Sequence, residues 1–277
     1  MSGYFSAEIV LLLMPWPPLA IVVLIGRALE KLSPIDPNLS PGEKLLDYKF
    51  AAANTVIGQL LFPLTGVISA LVINAAGGGW ISLPTGGASW ILSGAAVILV
   101  YDLFRYWTHR LYHAVPVLWA MHSFHHSAEA LTVVTGARQY WLESAINSAL
   151  FPVAAIIFQV PPLIGLLVPV IYFVPDGCAH LNYRIDLGRF VSWINNPQWH
   201  RIHHSTSPEH LNKNFCSLLP LMDLLFGTAW VPAPGEYPVA GLTPRECPTF
   251  WEGLAWPIRK LLFQRPAGTP KIAAGFR

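Results

Sequence analysis

Long apolar stretches without a single charge alternate with short polar segments along this chain. No Asp, Glu, Lys or Arg occurs from Phe50 through Tyr101, and none from Ser144 through Pro175. Both runs exceed the ~20 residues that cross a bilayer as a helix, so the pattern predicts an integral membrane protein. A first span is expected near Glu8–Leu29, where Pro15-Trp16-Pro17-Pro18 kinks it or ends a half-helix. A second runs from Phe50 to Ala76. After a short uncharged loop carrying Gly77-Gly78-Gly79 and Pro84-Thr85-Gly86-Gly87, a third runs from Ser89 to Trp107. The stretch from Ala145 to Pro175 is split by Pro161-Pro162. Each arm is about fifteen residues, only ~22 Å as helix, which suggests a tight or re-entrant hairpin. The expected fold is therefore all-α, with about four transmembrane helices: two spans, a third, and the proline-split hairpin.

Composition agrees. Apolar residues make up 53% and charged residues 12%, roughly half the usual charged fraction. The first seven residues carry no Lys or Arg, and no small-residue cleavage site follows the apolar stretch after them, so a cleavable signal is not expected. Cys178, Cys216 and Cys247 are odd in number and widely spaced, which argues against a disulfide framework. A net charge of +2 without a basic run gives no reason to expect nucleic acid.

Lys and Arg set the orientation. Arg27, Lys31, Lys44 and Lys49 flank or occupy the loop between the first two spans, and the loop between the second and third has none. Arg105, Arg110, Arg138, Arg184, Arg189, Arg201 and Lys213 accompany the later polar segments. The positive-inside rule puts those segments on the cytoplasmic side, of a bacterial inner membrane or the endoplasmic reticulum. Trp107, Tyr112, Trp119, Tyr140, Trp141, Trp193 and Trp199 suit an interfacial depth. After Leu218 the chain reads as a cytoplasmic tail (229–277). Within it Phe250–Gln264 forms a helix that lies on the membrane surface or packs on the protein's own cap.

The chemistry is carried by histidine. All ten histidines lie between His109 and His210. His109 and His113 form H-x-x-x-H; His122, His125 and His126 form H-x-x-H-H; His180 stands in H-x-N; and His200, His203 and His204 repeat H-x-x-H-H. Residues three and four apart share a helix face, so each cluster can aim several imidazoles at one spot. Imidazole is the commonest transition-metal ligand, and nine are too many for one ion and suit two. Ligand type alone leaves iron, zinc, copper and nickel open. Ring tautomers need outer acceptors. Asp102, two helical turns before His109, is one candidate, as are Glu143, Asn182, Asn214 and Asp223, with Glu129, Asp176 and Asp186 behind them. Asn182, Asn214 and Asp223 serve equally well as loop or cap residues.

Asp102-Leu-Phe-Arg-Tyr-Trp-Thr-His109-Arg-Leu-Tyr-His113, His122-Ser-Phe-His125-His126-Ser, His180-Leu-Asn182 and His200-Arg-Ile-His203-His204-Ser together resemble the fatty acid hydroxylase/sterol desaturase superfamily. Lys213-Asn214-Phe215 and Asp223-Leu-Leu-Phe226-Gly227-Thr228 are similar to its usual continuation, with Met222 where an aromatic residue is common. The resemblance covers about Leu99 to Thr228, the expected catalytic core of a single domain spanning 1–277. It implies a membrane-bound non-haem diiron oxygenase whose nine histidines, without His210, hold two irons. Zinc can take their place during purification. The implied reaction is hydroxylation, or alternatively desaturation, of a lipid: a sterol, a fatty acyl lipid or a terpenoid. O2 is the co-substrate. Where many relatives carry a further polar His-Pro segment, this chain reads Arg138-Gln-Tyr140-Trp-Leu-Glu143, a departure that bears on substrate rather than metal.

The chain has no G-x-G-x-x-G at a strand–helix turn, no C-x-x-C-H and no cysteine cluster. Electrons are therefore expected from a separate reductase with a ferredoxin or small cytochrome. A zinc hydrolase is disfavoured by the missing H-E-x-x-H and the excess of ligands. A metal transporter is disfavoured because the charge-free spans contain no histidine.

Overall fold

A computed structural model describes residues 16–263 of the chain. Ten helices dominate it. Helix α1 (Trp16–Leu32) and α2 (Pro41–Ala75) come first, then α3 (Ser89–Ala114), α4 (Pro116–His126), α5 (Trp141–Ile157), α6 (Pro162–Ala179) and α7 (Pro197–His203). The short helices α8 (Leu221–Leu225), α9 (Phe250–Leu254) and α10 (Trp256–Phe263) follow.

Among the described residues, α3 is the one helix long and apolar enough to cross a membrane, by length and composition. The expected second span forms the charge-free part of α2, where Leu60, Leu64 and Leu71 are exposed. In the first span, α1 begins at Trp16, so Pro17 and Pro18 fall in its first turn, where a missing N–H costs nothing. Residues 8–15 of that expected span lie outside the described residues. The proline-split segment becomes α5 and α6, which both pack on α3, while α5 also packs on α2 and α6 on α1. Val97 of α3 meets Ile164, Val168 and Tyr172 of α6 in a buried cluster, and Tyr172 donates to the Ile98 carbonyl at 2.9 Å.

One end of this layer is tied by a two-residue parallel pairing, β1 (Ile81–Ser82) with β2 (Phe158–Gln159). Gly79 permits it. Its φ is +104°, and a Cβ there would stand 2.8 Å from the Phe158 backbone carbon.

The polar residues gather at the opposite end. Helix α3 stops where Val115 is drawn into an extended conformation by Pro116, which then opens α4. Helix α7 starts on Asn196, whose side chain accepts from the N–H groups of Gln198 and Trp199 at 3.1 and 3.0 Å. The segment after α4 is anchored by acids from α1 and α2. Glu30 accepts from the Val133 N–H at 2.7 Å, and Asp47 accepts from the Thr135 hydroxyl at 2.7 Å. Arg138 is fully buried between Glu43 and Asp47, 3.0 and 3.4 Å away, and donates to the Ser127 hydroxyl at 2.8 Å.

The segment expected to trail away after Leu218 instead packs on this end. Gly241 donates to the His204 carbonyl, and Ser205 bridges Ala240. The single helix expected over Phe250–Gln264 is two, because Pro257 sits where a new helix must begin. Trp256 is buried against Leu46, Phe50 and Phe124, and its indole N–H donates to Ser123 at 3.0 Å. Packing on the protein's own cap is the alternative realised on that face; Trp251, Ile258, Leu261 and Leu262 are exposed on the other.

Candidate metal centre

The nine motif histidines converge in two groups. His109, His113, His122, His126 and His203 form one; His125, His180, His200 and His204 form the other. Within each group one ring nitrogen per residue lies within 4.8 Å of all the others. The division cuts across the sequence motifs. At about 100° per residue, helix positions i and i+4 lie roughly 40° apart, whereas neighbours lie ~100° apart. So His109 stays with His113, His122 with His126, and His200 with His204. His125 and His203 point across to the opposite group. His210 belongs to neither: its Nδ1 meets the Ser205 hydroxyl at 2.9 Å, and its ring packs on Trp230.

Outer contacts set the tautomers. The Nδ1 of His109 faces the Phe215 carbonyl at 2.8 Å, and that of His203 faces the Lys213 carbonyl at 2.9 Å. A carbonyl only accepts, so both rings carry their proton on Nδ1 and turn an Nε2 lone pair inward. His125 does the same toward the Arg138 carbonyl at 3.3 Å. The Nδ1 of His122 meets Glu143 at 2.7 Å. Burial holds the rings of His122, His125, His126, His200 and His204 well below the ordinary imidazole range and lowers His203 to about 4. At neutral pH they are unprotonated donors, the form that binds metal. Burial pushes Glu143 up to about 8. A cation beside it acts in the opposite sense and favours the carboxylate.

The donor set fits two metal ions. Nε2 atoms stand 3.1 Å apart between His109 and His122 and between His113 and His126. They stand 3.2 Å apart between His180 and His125, 3.0 Å between His200 and His180, and 3.2 Å between His204 and His200. An N–H nitrogen cannot also accept, so so many mutual contacts cannot all be ordinary hydrogen bonds. Nitrogens about 3 Å apart are what an ion with bonds of about 2.1 Å gathers around itself. The Nε2 of His203 is buried without a hydrogen-bond partner among the described residues, as a lone pair reserved for a cation would be.

Of the five other residues singled out from the sequence, Glu143 is the one that contacts a ring. Asp102 departs from expectation: it accepts the N–H groups of Leu218 and Leu219, each at 3.1 Å, and so ties α3 to the chain after the histidines. Asp223 accepts from the Phe215 and Cys216 N–H groups at 2.7 and 2.9 Å, which fixes the carbonyl that His109 uses. Asn214 (φ +57°) bridges the carbonyls of Trp199 and Trp230. Asn182 pairs with the Asp36 backbone in both directions. Glu129 pairs with Arg245, and Asp186 accepts from Gly188 N–H; the Asp176 side chain is outside the described set. Sequence reasoning missed the carbonyls of Phe215, Lys213 and Arg138, which no side-chain pattern announces.

A small half-open cavity touches both groups. It is bordered by His109 and His122 of the first and by His125, His180 and His200 of the second. Phe215 closes the first group from another side, with ring centroids 5.1–5.6 Å from His109, His113 and His203.

Fold and site thus define a helical protein with two histidine groups that resemble a diiron site at one end of an apolar helical layer. The fatty acid hydroxylase family matches residues 94–228, the segment holding every one of the nine histidines. This match and the histidine groups support the resemblance of residues 94–228 to the fatty acid hydroxylase/sterol desaturase superfamily.

Among similar proteins, alkylglycerol monooxygenase of Danio rerio is 33% identical over 129 residues, covering 46% of this chain and 28% of that protein. The Homo sapiens alkylglycerol monooxygenase is 30% identical over 148 residues, covering 53% and 32%. Ornithine lipid hydroxylase OlsE of Rhizobium tropici is 25% identical over 163 residues, covering 59% and 49%. The chain spans less than half the length of these curated relatives. No solved structure matches it significantly.

Proposed function

We propose that this chain is a membrane-bound diiron oxygenase that hydroxylates an unactivated C–H bond of a lipid. The observation that carries the proposal is the pair of buried histidine groups, five and four strong, bordering one cavity beside apolar helices. In the net reaction a C–H hydrogen is replaced by hydroxyl. The second oxygen atom of O2 leaves as water, with two electrons drawn from a separate reductase and its ferredoxin or small cytochrome and two protons taken from solvent. When bound, two irons would supply the oxygen activation, chemistry that belongs to the cofactor rather than to any acid or base. All nine histidines would hold them, with zinc a substitute after purification.

The protein's own part is placement. Carbonyls of Phe215, Lys213 and Arg138 hold three rings in one tautomer, and Glu143 orients His122. Phe215 and Trp119 pack over the rings and exclude water. Residues 1–277 would act as one unit with about four membrane crossings and the histidine end on the cytoplasmic side, as the Lys and Arg bias favours. Lipid enters laterally between the helices. The names of the relatives, which refer to an alkylglycerol and to ornithine lipid, support a lipid substrate.

The test is metal analysis of protein purified without oxygen, together with mass spectrometry of lipids from cells with and without the chain. A lipid gaining one oxygen supports hydroxylation. One losing two hydrogens would move the assignment to desaturation on the same site, and no altered lipid would overturn it.

A further inference from the structure

The five-histidine group has two sides. His109 and His122 border the cavity, together with rings of the other group, whereas His113, His126 and His203 do not. Besides imidazoles, three aromatic rings among the described residues pack on this group. Tyr112 stacks on His122, Phe215 packs on His109, His113 and His203, and Trp119 packs on His113 and His126. Tyr112 and Phe215 are buried, but Trp119 is half-exposed. Trp119 therefore reaches from the ligands to the surface, its ring centroid 4.9 Å from that of His113 and 5.4 Å from that of His126. Imidazoles alone make the ring contacts of the four-histidine group among the described residues.

The surface that Trp119 meets is the corner between α3 and α4. Leu111 and Val117 are 48% and 50% exposed there, and Ala114 and Pro116 are exposed as well. No Asp, Glu, Lys or Arg occurs from Leu111 through Ala128. The 26 residues of α3 extend ~39 Å, of which a hydrocarbon layer takes up ~30 Å. Its apolar part begins at exposed Trp90, Ile91 and Leu92, so the corner emerges beyond the far side of that layer. Lipid tails do not cover it there, and an apolar patch facing water marks a protein partner. Two cations stand by the same rings. Arg110, three residues before His113, meets the Tyr106 hydroxyl and the Trp107 ring rather than a carboxylate. Lys213 holds His203 through its carbonyl, and the His203 ring lies 4.8 Å from that of His113.

Resting on the oxygenase reading above, we infer that a small acidic one-electron carrier docks on the α3–α4 corner and that Trp119 conducts its electron to the five-histidine group. Redox partners meet over small interfaces, and an apolar centre with a charged rim suits such a contact. At each docking the carrier's reduced centre loses one electron, and an iron(III) held by the five-histidine group gains it. Two dockings supply the two electrons of the net reaction, and no bond or proton changes at Trp119. The port lies away from the cavity, so carrier and lipid do not compete for one surface.

A photoreductant tests the path without the native carrier. A ruthenium tris-bipyridyl group is attached at Val117→Cys in the iron-loaded full chain, with Cys178→Ser and Cys247→Ser removing the native thiols that are not buried. Reduction of the iron after a flash is then timed. Trp119→Leu should slow it at least several-fold with iron content unchanged, and Trp119→Phe should restore part of the rate. The same rate in Trp119→Leu overturns the path and leaves the oxygenase reading intact; a chain that takes up no iron overturns both.

A binding measurement needs no metal. Affinity of the metal-free full chain in detergent is measured for a plant-type ferredoxin and for a small soluble cytochrome, and again in Val117→Glu. Position 117 is exposed in the first turn of α4, where a carboxylate suits the helix N-terminus and the fold is kept. Binding of either carrier that falls about tenfold or more in Val117→Glu supports the docking surface. Equal binding by the variant, or binding of neither carrier, overturns it.

Discussion

The two histidine groups are built from the same residue type, yet they are held differently. In the five-histidine group, carbonyls of Phe215 and Lys213 and the carboxyl of Glu143 fix three rings at 2.7–2.9 Å. In the four-histidine group, the Arg138 carbonyl reaches His125 at a longer 3.3 Å. There the Nδ1 atoms of His200 and His204 are buried without a hydrogen-bond partner among the described residues. Burial runs the other way: all four rings of the smaller group are buried, whereas His109 and His113 of the larger are half-buried. Outer hydrogen bonds raise ligand basicity and preorganise a site. The five-histidine group is therefore expected to bind metal the more tightly, with the four-histidine group depending more on the packing around it.

The largest effect expected from breaking this comparison comes at the rings themselves. His203→Ala should empty the five-histidine group and His200→Ala the four-histidine group. Lipid oxidation should fall by more than ~100-fold in each, beyond the range for outer partners. Metal content and product in the same preparation check it, and retained activity in either variant would sink the two-group account.

Arg138→Met comes next. It leaves Asp47 and Glu43 without their buried cation, a loss of ~3–5 kcal/mol for a broken buried pair. Because the Arg138 carbonyl holds His125, metal should be lost from the four-histidine group before the other. Chemical denaturation and metal titration report the two effects separately.

Glu143→Ala should act only on the five-histidine group, lowering its affinity about 10- to 100-fold while the other keeps its metal. Equal losses at both groups would show that the outer contacts do not distinguish them.

The smallest effect is with pH. Burial lowers His203 to about 4 in the folded chain against an ordinary value of 6.5. The unfolded chain therefore takes up a proton first as pH falls. The stability of metal-free protein should be full above pH 6.5 and decline from there toward pH 4. Thermal melts across that range measure it, and a flat profile would contradict the burial of the rings.

Much of this was legible in the residue pattern because the signals are periodic. Charge-free runs marked α2, α3, α5 and α6, and Pro161-Pro162 marked where a helix must break. The histidine spacing marked the nine rings that converge, and their i,i+4 geometry already contained the division into groups that the motifs concealed. Glu143 was visible as one of two acids after the first triplet, and Glu129, the nearer of the two, pairs with Arg245 instead. For Asn182, Asn214 and Asp223 the residue pattern left loop or cap roles open beside contact with a ring, since an acid or amide near a histidine in sequence often satisfies backbone groups instead. Asp102 and Asp223 do so here. The carbonyls that orient the rings depend on long-range folding of the 213–215 and 138 segments, and backbone atoms leave no mark on composition. Which of its two alternatives the tail takes was hidden for a related reason: Trp256 needs Phe50 and Phe124, which are remote in sequence.

The most direct test is an anaerobic iron(II) titration of the metal-free full-length chain in detergent, followed by Mössbauer spectroscopy. The account predicts two irons per chain, one for each histidine group, with distinct environments that fill in order, the five-histidine group first. Saturation at one iron, or two irons in indistinguishable sites that fill together, would contradict it.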